Sequence, residues 1–368
     1  MRQFDVIFFD RDLVYQHHDR VSDPEIKDDY LAIQNNSIEI AATDKVKVGQ
    51  YISMQSDDYS FFGVVTDVKN DDYQLKVMYK SFLAVFDEDT LFDIDLQKKN
   101  TTDPSGGSKI NSLSLEATLK YIIDANYVNN ADILQNLKIS VTATNTVNRW
   151  GLNLTPDTEG MHYCIVGLYR VLIVNAMKLY GVALNVTPDF SDKIINISIT
   201  TSQRVLDIDG DLNNVDVRTL TVDDRPNGVN KLTVYNTAGY NQYLNFYVHP
   251  DKTWSAENSN RITPVVLDVK GAYPDSSIAD PDEAFVESAL DVAYGILSGL
   301  TWNNLIELEV SSNDELISPL TLDFGQTIRL HYNDSVYESI LTGIELTSKF
   351  VIMTLGSERI NFTKRRGL

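Results

Sequence analysis

The chain carries one pattern twice: "VGQYISM" (Val48–Met54) and "FGQTIRL" (Phe324–Leu330) both read apolar-Gly-Gln-x-Ile-x-apolar. Sliding one over the other pairs Gly49 with Gly325, Gln50 with Gln326, Ile52 with Ile328 and Met54 with Leu330. Without a gap, Val65–Val68 then falls on Leu341–Ile344, and with a single deletion "LKVM" (Leu75–Met78) falls on "FVIM" (Phe350–Met353). Two Gly-Gln pairs are cheap, but an apolar rhythm shared over about three strands is not, so the pair reads as a diverged duplication of one β-unit. Each glycine reads as a turn residue leading into equivalent strands. The glutamines mark the register and acquire no further role from the sequence. Superposing residues 45–80 on 321–355 should show one strand order.

Around the first copy, "FDVIFFD", "SIEIAAT", "QYISMQ", "FFGVVTDV" and "QLKVMY" are rich in Ile, Val, Phe and Tyr and are separated by polar turns such as "KNDD". They predict a first tube-like β domain, a barrel or sandwich, over residues 1–100. "KKNTTDPSGGSK" (Lys98–Lys109) loses all apolar character and marks a linker. Residues 110–200 then predict an α/β domain with two helices. In the first, Leu115, Leu119, Ile122 and Ile123 recur at helical spacing behind Ser112 or Ser114 as cap. The second runs from about Thr158 to Tyr180, apolar on nearly every face and so buried, and Gly181 ends it.

"IINISITT" (Ile194–Thr201) returns to strand alternation, continued by "KLTVYN" and by "YLNFYVHPDKTW" through a hairpin at Pro250 and Asp251. Residues 201–300 therefore read as a mixed β region closed by a helix over 281–298. Asp280 caps that helix, Pro281 opens it, Phe285, Ala289, Val292, Ala293, Ile296 and Leu297 form its stripe, and Gly299 stops it. Residues 301–368 begin with "LIELEV" and hold the second tube-like unit, completed by strands from 195–270. The fold class is α+β and β-rich, two related β-barrel or sandwich domains flanking a mixed α/β middle.

At 368 residues, 43% apolar and 10% aromatic, the chain can build several ordinary cores. Its 31 basic against 52 acidic residues give a formal charge of −21, which excludes a groove that grips nucleic acid by neutralising phosphates. An acidic conduit that repels a polyanion and lets it slide is compatible with that charge. Cys164 is the only cysteine, so neither an internal disulfide nor a cysteine-based zinc site can form. "MRQFDVIFFDRD" has neither a signal-peptide core nor a membrane anchor, and Arg170, Asn175 and Lys178 interrupt the most apolar stretch, Met161–Val186. Assembly in the cytosol is expected.

Candidate chemistry fails position by position. "DIDGDLNNVD" spaces Asp207, Asp209, Asp211 and Asn213 like half a calcium loop, but Leu212 and Arg218 stand where the EF-hand needs Gly and Glu. A plain turn is the reading, with at most an adventitious cation at those aspartates. His17, His18 and Asp19 are read as an exposed loop, because adjacent histidines on a strand point to opposite faces. His162 and Cys164, two apart on a helix, diverge, leaving a buried structural cysteine. "DEDTLFDID" (Asp87–Asp95) could supply paired acids, but nothing sets their separation, and a solvated acidic segment is the reading. "PSGGSK" lacks the spacing of a phosphate loop, and "TKRRGL" is a basic tail or a contact for an acidic partner. No catalytic, cofactor-binding or metal-ligating residue is assigned, and no cofactor.

The order of segments resembles the hub proteins at the tips of phage tails: tail-associated proteins of siphophages infecting Gram-positive hosts and, more distantly, the central hub of contractile-tail baseplates. The two Gly-Gln units carry the resemblance, with "NKLTVYN" (Asn230–Asn236), "YVHPDKTW", "NRITPVV" (Asn260–Val266) and the acidic helix leading to "NLIELEV" (Asn304–Val310). It covers residue 45 to the end, and its specificity lies in order, since none of these is a strict signature. The resemblance implies a structural, non-enzymatic virion protein at the tail tip. A homotrimer would present six similar units and so adapt a threefold tip to a sixfold tail tube or distal tail ring. Genomic DNA would pass through the ring without specific binding, and tape-measure and receptor-binding proteins would be neighbours. Longer members carry a C-terminal hydrolase or fibre, and the end of the sequence just after "RINFTKR" leads us to expect neither. Two alternatives remain: a host-saccharide-binding module using Trp150, Trp254 or Trp302, and a cell-wall hydrolase.

Overall fold

A computed structural model describes residues 2–71, 73–87, 89–93, 114–128, 138–148, 163–202, 204–209, 217–226, 229–238, 241–251, 253–274, 278–300, 302–311, 317, 322–332, 335–347 and 349–356. The chain opens with β1 (Gln3–Phe9), β2 (Tyr15–Ser22), β3 (Ile26–Asp29), β4 (Asn36–Ala41), β5 (Tyr51–Gln55), β6 (Ser60–Asp71), β7 (Gln74–Ser81) and β8 (Asp89–Asp93). Helix α1 (Leu115–Ile123), β9 (Ile139–Ala143), β10 (Tyr163–Gly167), α2 (Val174–Tyr180), β11 (Val182–Asp189) and β12 (Ile194–Thr201) make the middle. Then come β13 (Val205–Asp209), β14 (Val217–Pro226), β15 (Lys231–Asn236), β16 (Tyr243–Val248), β17 (Trp254–Ser255), β18 (Leu267–Ala272) and helix α3 (Pro281–Leu300). The last strands are β19 (Trp302–Ser311), β20 (Thr327–Tyr332), β21 (Ser335–Leu346) and β22 (Phe350–Gly356). The fold is β-rich α+β.

Two large sheets dominate. One runs β2-β1-β5-β6-β7-β4, and the other β13-β20-β21-β22-β19-β14 with β3 added to β21. Strand alternation explains both: in β4 the residues Asn36, Ile38 and Ile40 point inward while Ser37, Glu39 and Ala41 face out. Phe4, Val6 and Met54 of the first sheet and Leu308, Leu330 and Met353 of the second lie in one continuous apolar core, with Ile26 of β3 among them.

A second core joins α1, the β11-β12-β9 sheet and the segment Leu168–Tyr180 to aromatic side chains at the edge of the first sheet. A third packs the stripe Phe285, Ala289, Ala293 and Leu297 of α3 against Leu232, Val234, Phe246 and Val248 of the β17-β16-β15-β18 sheet. No helix among the described residues is long and apolar enough to cross a membrane.

Several local expectations hold. Ser114 caps α1, its hydroxyl accepting from the Ala117 N–H at 3.2 Å, and Gly181 ends α2 in the left-handed region at φ 64°. Asp280 caps α3, accepting from the Asp282 N–H at 2.9 Å, and Tyr247 and Val248 pair with Ser255 and Trp254 across the hairpin at Pro250.

Others need correction. The long helix expected from Thr158 does not exist as such. Tyr163–Gly167 is a strand paired antiparallel with Asp89–Asp93, a π-helical turn follows over Leu168–Ile173, and only Val174–Tyr180 is α-helical. The β-branched pair Ile165 and Val166 favours the ladder over the helix. Cys164 is thus a strand residue, and His162 lies outside the described residues. Helix α3 runs past Gly299 to Leu300. His17 and His18 sit on β2 and not on a loop, because β1 offers its whole length as a pairing edge.

Candidate functional site: the paired Gly-Gln units

The duplication extends to the backbone hydrogen bonds of the turn, although Gln50 Nε2 donates to Lys45 O at 3.0 Å and the buried Gln326 Nε2 makes no such bond among the described residues. Gly49 and Gly325 adopt φ +85° and +81°, the left-handed region in which a Cβ is strained. The Gly49 N–H donates to Val65 O and the Val65 N–H to Gln50 O, each at 2.9 Å; Gly325, Leu341 and Gln326 repeat both bonds at 2.9 Å. The glutamines acquire a role that the sequence did not disclose. Gln50 Oε1 accepts from the Lys47 N–H at 2.8 Å and Gln326 Oε1 from the Asp323 N–H at 3.3 Å, so each side chain closes its own turn three residues back.

Each long strand also carries the same irregularity. Register shifts between Val65 and Asp67 in β6 and between Leu341 and Gly343 in β21, which makes Thr66 and Thr342 equivalent bulge residues. Beyond the bulge Val68 pairs with Val77, and Ile344 with Met353. This overturns the deletion proposed from sequence: buried Leu75, Val77 and Tyr79 correspond to buried Val351, Met353 and Leu355 with no gap. A one-residue slip would turn every inward side chain outward. A fourth strand belongs to the repeat, since Ile38 and Ile40 oppose Val77 and Leu75 as Leu308 and Val310 oppose Met353 and Val351.

The two units are stitched by β3, which leaves the first and pairs antiparallel with Gly343–Leu346 of the second. The ladder is extended by the Tyr30 N–H, donating to Thr342 O at 2.9 Å. Tyr30 also ties the junction to the middle of the chain, its Oη accepting from the Leu184 N–H and its carbonyl from Tyr169 Oη, both at 2.8 Å. Lys27 Nζ bridges Glu25 at 2.8 Å and Glu345 at 3.4 Å.

Asp28 is the exception on this strand. Its Oδ2 accepts from Tyr59 Oη at 3.0 Å, no basic side chain among the described residues pairs with it, and burial pushes its carboxyl up to about 6. A raised folded-state value means that the stabilising, protonated form is fully present below the unfolded value near 3.8 and is lost as pH rises through 6. Asp28→Asn is therefore expected to match the wild type near pH 4 and to exceed it by about 2–3 kcal/mol at pH 8. Denaturant midpoints at the two pH values check this, and an advantage that does not grow with pH refutes it.

The residues singled out by sequence do not converge. Asp207 lies on β13 with its carboxylate 3.3 Å from Arg329 Nη1 and 3.7 Å from His331 Nε2, and Asp209 is on the same strand. Asp211 and Asn213 lie outside the described residues, as do Glu88, Trp150 and "TKRRGL". His17 stacks on Phe8 at 6.1 Å, whereas His18 Nε2 is 3.1 Å from Asp5 Oδ1. The Arg20 and His18 hydrogen bonds hold the Asp5 carboxyl below its usual range. Asp19 Oδ2 accepts from the Ala41 N–H at 2.9 Å. Asp87 receives two bonds from Arg170, at 2.6 and 3.1 Å. Trp254 packs edge-on against Phe246, 5.6 Å between centroids, as part of the third core. Among the described residues no group of three His, Cys, Asp or Glu side chains could hold a metal.

Two polar sites escaped sequence reasoning. Glu116, 0% exposed, accepts from Thr144, Thr146 and Thr201 and from the Val147 N–H. His249 has Nε2 at 2.9 Å from Ser255 Oγ and Nδ1 at 3.2 Å from Asn260 O, a carbonyl where a catalytic triad holds a carboxylate. Ser255 Oγ also accepts from the Glu257 N–H at 3.1 Å, so His249 and Ser255 pin a loop. The Glu116 site has no local signature because its donors come from separate segments, whereas His249, Ser255 and Asn260 lie within twelve residues and are brought together by the turn after β16.

No family model matches the chain, and no curated protein matches it. Similar solved structures include the 43 kDa tail protein of prophage MuSo2 from Shewanella oneidensis. It is 12% identical with a TM-score of 0.47, over 95% of this chain and 98% of that one. The baseplate of phage P2 in its activated conformation is 10% identical with a TM-score of 0.46, over 98% and 100%. The prophage tail protein gp18 from Listeria monocytogenes EGD-e is 9% identical with a TM-score of 0.45, over 99% and 97%. At such scores no residue role transfers. Known structures that this chain is similar to include, at low sequence identity, those of phage tail and baseplate proteins.

Proposed function

We propose that the chain is a structural, non-enzymatic protein of a phage tail tip, three copies of which close a ring that presents six similar β-units to a sixfold tail tube or distal tail ring. The repeated turn, bulge and register carry this reading, because a closed ring needs head-to-tail surfaces that recur at every step. Within one chain β3 already makes such a contact, the first unit completing the second. Two units in each of three chains then satisfy a sixfold partner with one kind of subunit. The reading extends to the channel: Glu307, Glu309, Glu338 and Glu345 lie at positions of the second sheet that are exposed or half-buried. With a net charge of −21, such a face lets DNA pass without holding it.

The expected result is a particle of three times 41.5 kDa by mass photometry or analytical ultracentrifugation, alone or with its tail partner. A chain that stays monomeric at micromolar concentration and joins no tail component refutes the reading.

A further inference from the structure

Where the two units and the middle of the chain meet there is a cavity of about 380 Å³. Its walls mix aromatic side chains, Tyr30, Tyr59, Phe62 and Phe324 among them, with polar ones such as Ser60 and Thr187, and Tyr30 and Phe324 are tilted 50° with centroids 5.7 Å apart. Two carboxylates line it, Asp28 from β3 and Asp323 ahead of β20, and Asn185 lines it from β11. Asp28 accepts from the Tyr59 hydroxyl and has no cationic partner among the described residues. Lys27, beside it on the strand, is engaged with Glu25 and Glu345. Asp323, also at the wall, is neutralised by Arg204 at 2.8 Å. A half-buried carboxylate without a counter-charge is unfavourable, and a cation entering the cavity supplies that charge.

The kind of cation follows from the walls. Calcium requires six to eight oxygen ligands and magnesium a near-ideal octahedron, whereas Asp323 is paired with Arg204 and no group of three His, Cys, Asp or Glu among the described residues could hold a metal. Aromatic side chains beside a carboxylate that lacks a counter-charge favour an organic ammonium ion, by cation–π attraction. We infer that this cavity binds a small organic ammonium ion, its nitrogen against the Asp28 carboxylate and its alkyl part against the aromatic walls. Because the cavity is walled by both units and by β11, the ligand would clamp the junction. The inference does not depend on ring formation.

The test is calorimetry and thermal melting of the full chain at pH 8 with butylammonium chloride, against sodium chloride at equal ionic strength. Saturable binding by butylammonium and a raised melting midpoint, both absent with sodium, are expected. Asp28→Asn, which removes the charge and keeps an acceptor for Tyr59, should weaken binding at least about tenfold. Asn185→Lys, which tethers an ammonium at the wall, should compete and abolish it, giving an independent readout if Asp28→Asn folds poorly. No saturable heat up to tens of millimolar, an equal response to sodium, or unchanged affinity in both variants overturns the inference.

Discussion

Glu116→Ala is expected to destabilise the protein by about 2–3 kcal/mol, lowering the midpoint of the middle region's unfolding by roughly 5 °C or more. The Glu116 side chain reaches from α1 to the ends of β9 and β12. It satisfies the hydroxyls of Thr144, Thr146 and Thr201 together with the N–H groups of Thr146 and Val147. Truncation removes one buried acceptor from five donors; Thr144 and Thr146 are exposed and water can replace it there, whereas the half-buried Val147 N–H and Thr201 hydroxyl lose more.

Burial alone would raise the carboxyl of Glu116, but the Thr146 hydroxyl and the backbone N–H donors outweigh it and hold it below its usual value of 4.5. The sign follows: the stabilisation is present above the unfolded value and is lost as pH falls through the folded one. Glu116→Gln should therefore trail the wild type at pH 7 by about half as much as the alanine variant, and the gap should close in acid. Chemical denaturation at pH 7 and pH 4 measures both, and a pH-independent gap sinks the account.

Gly325→Ala should cost about 3–4 kcal/mol, whereas Gly49→Ala, at the equivalent turn, should cost about 1. Both glycines hold φ near +80°, so both variants meet the same backbone strain. Their surroundings differ. A Cβ on Gly325 would lie 2.9 Å from the backbone oxygen of Gly181, which is held by the end of α2 and cannot retreat. A Cβ on Gly49 would meet only the tip of the Arg11 side chain at 3.2 Å, which can swing away. Equal losses in the two variants would show that strain in the turn, and not packing against the middle of the chain, sets the cost.

The glycine pair also shows how far the sequence reaches. Turn chemistry and apolar alternation depend on neighbours a few residues apart, so both Gly-Gln units, the strands "SIEIAAT" and "LIELEV", and the capped helix behind Asp280 were legible. The role of Gln50 and Gln326 was legible in principle, since each bonds three residues back, but needs the turn geometry to be seen. The polar strands β2 and β3 were not legible. "YQHHDRVS" and "IKDD" have no strand-forming alternation, and they are strands because β1 and β21 offer edges for them to pair with. Tyr163–Gly167 was misread for the same reason, since its partner β8 lies some seventy residues earlier in the chain.

By itself, then, the sequence determined the β-rich class, the duplication and the acidic character, all of which follow from composition and from contacts local in the chain. Only the tertiary structure decided that β3 crosses from one unit to complete the other, that the repeat runs without a deletion, and that Asp28 faces a cavity without a counter-charge. Those depend on which distant edges and faces meet, and pairing energy between distant segments leaves no periodic trace in either segment alone.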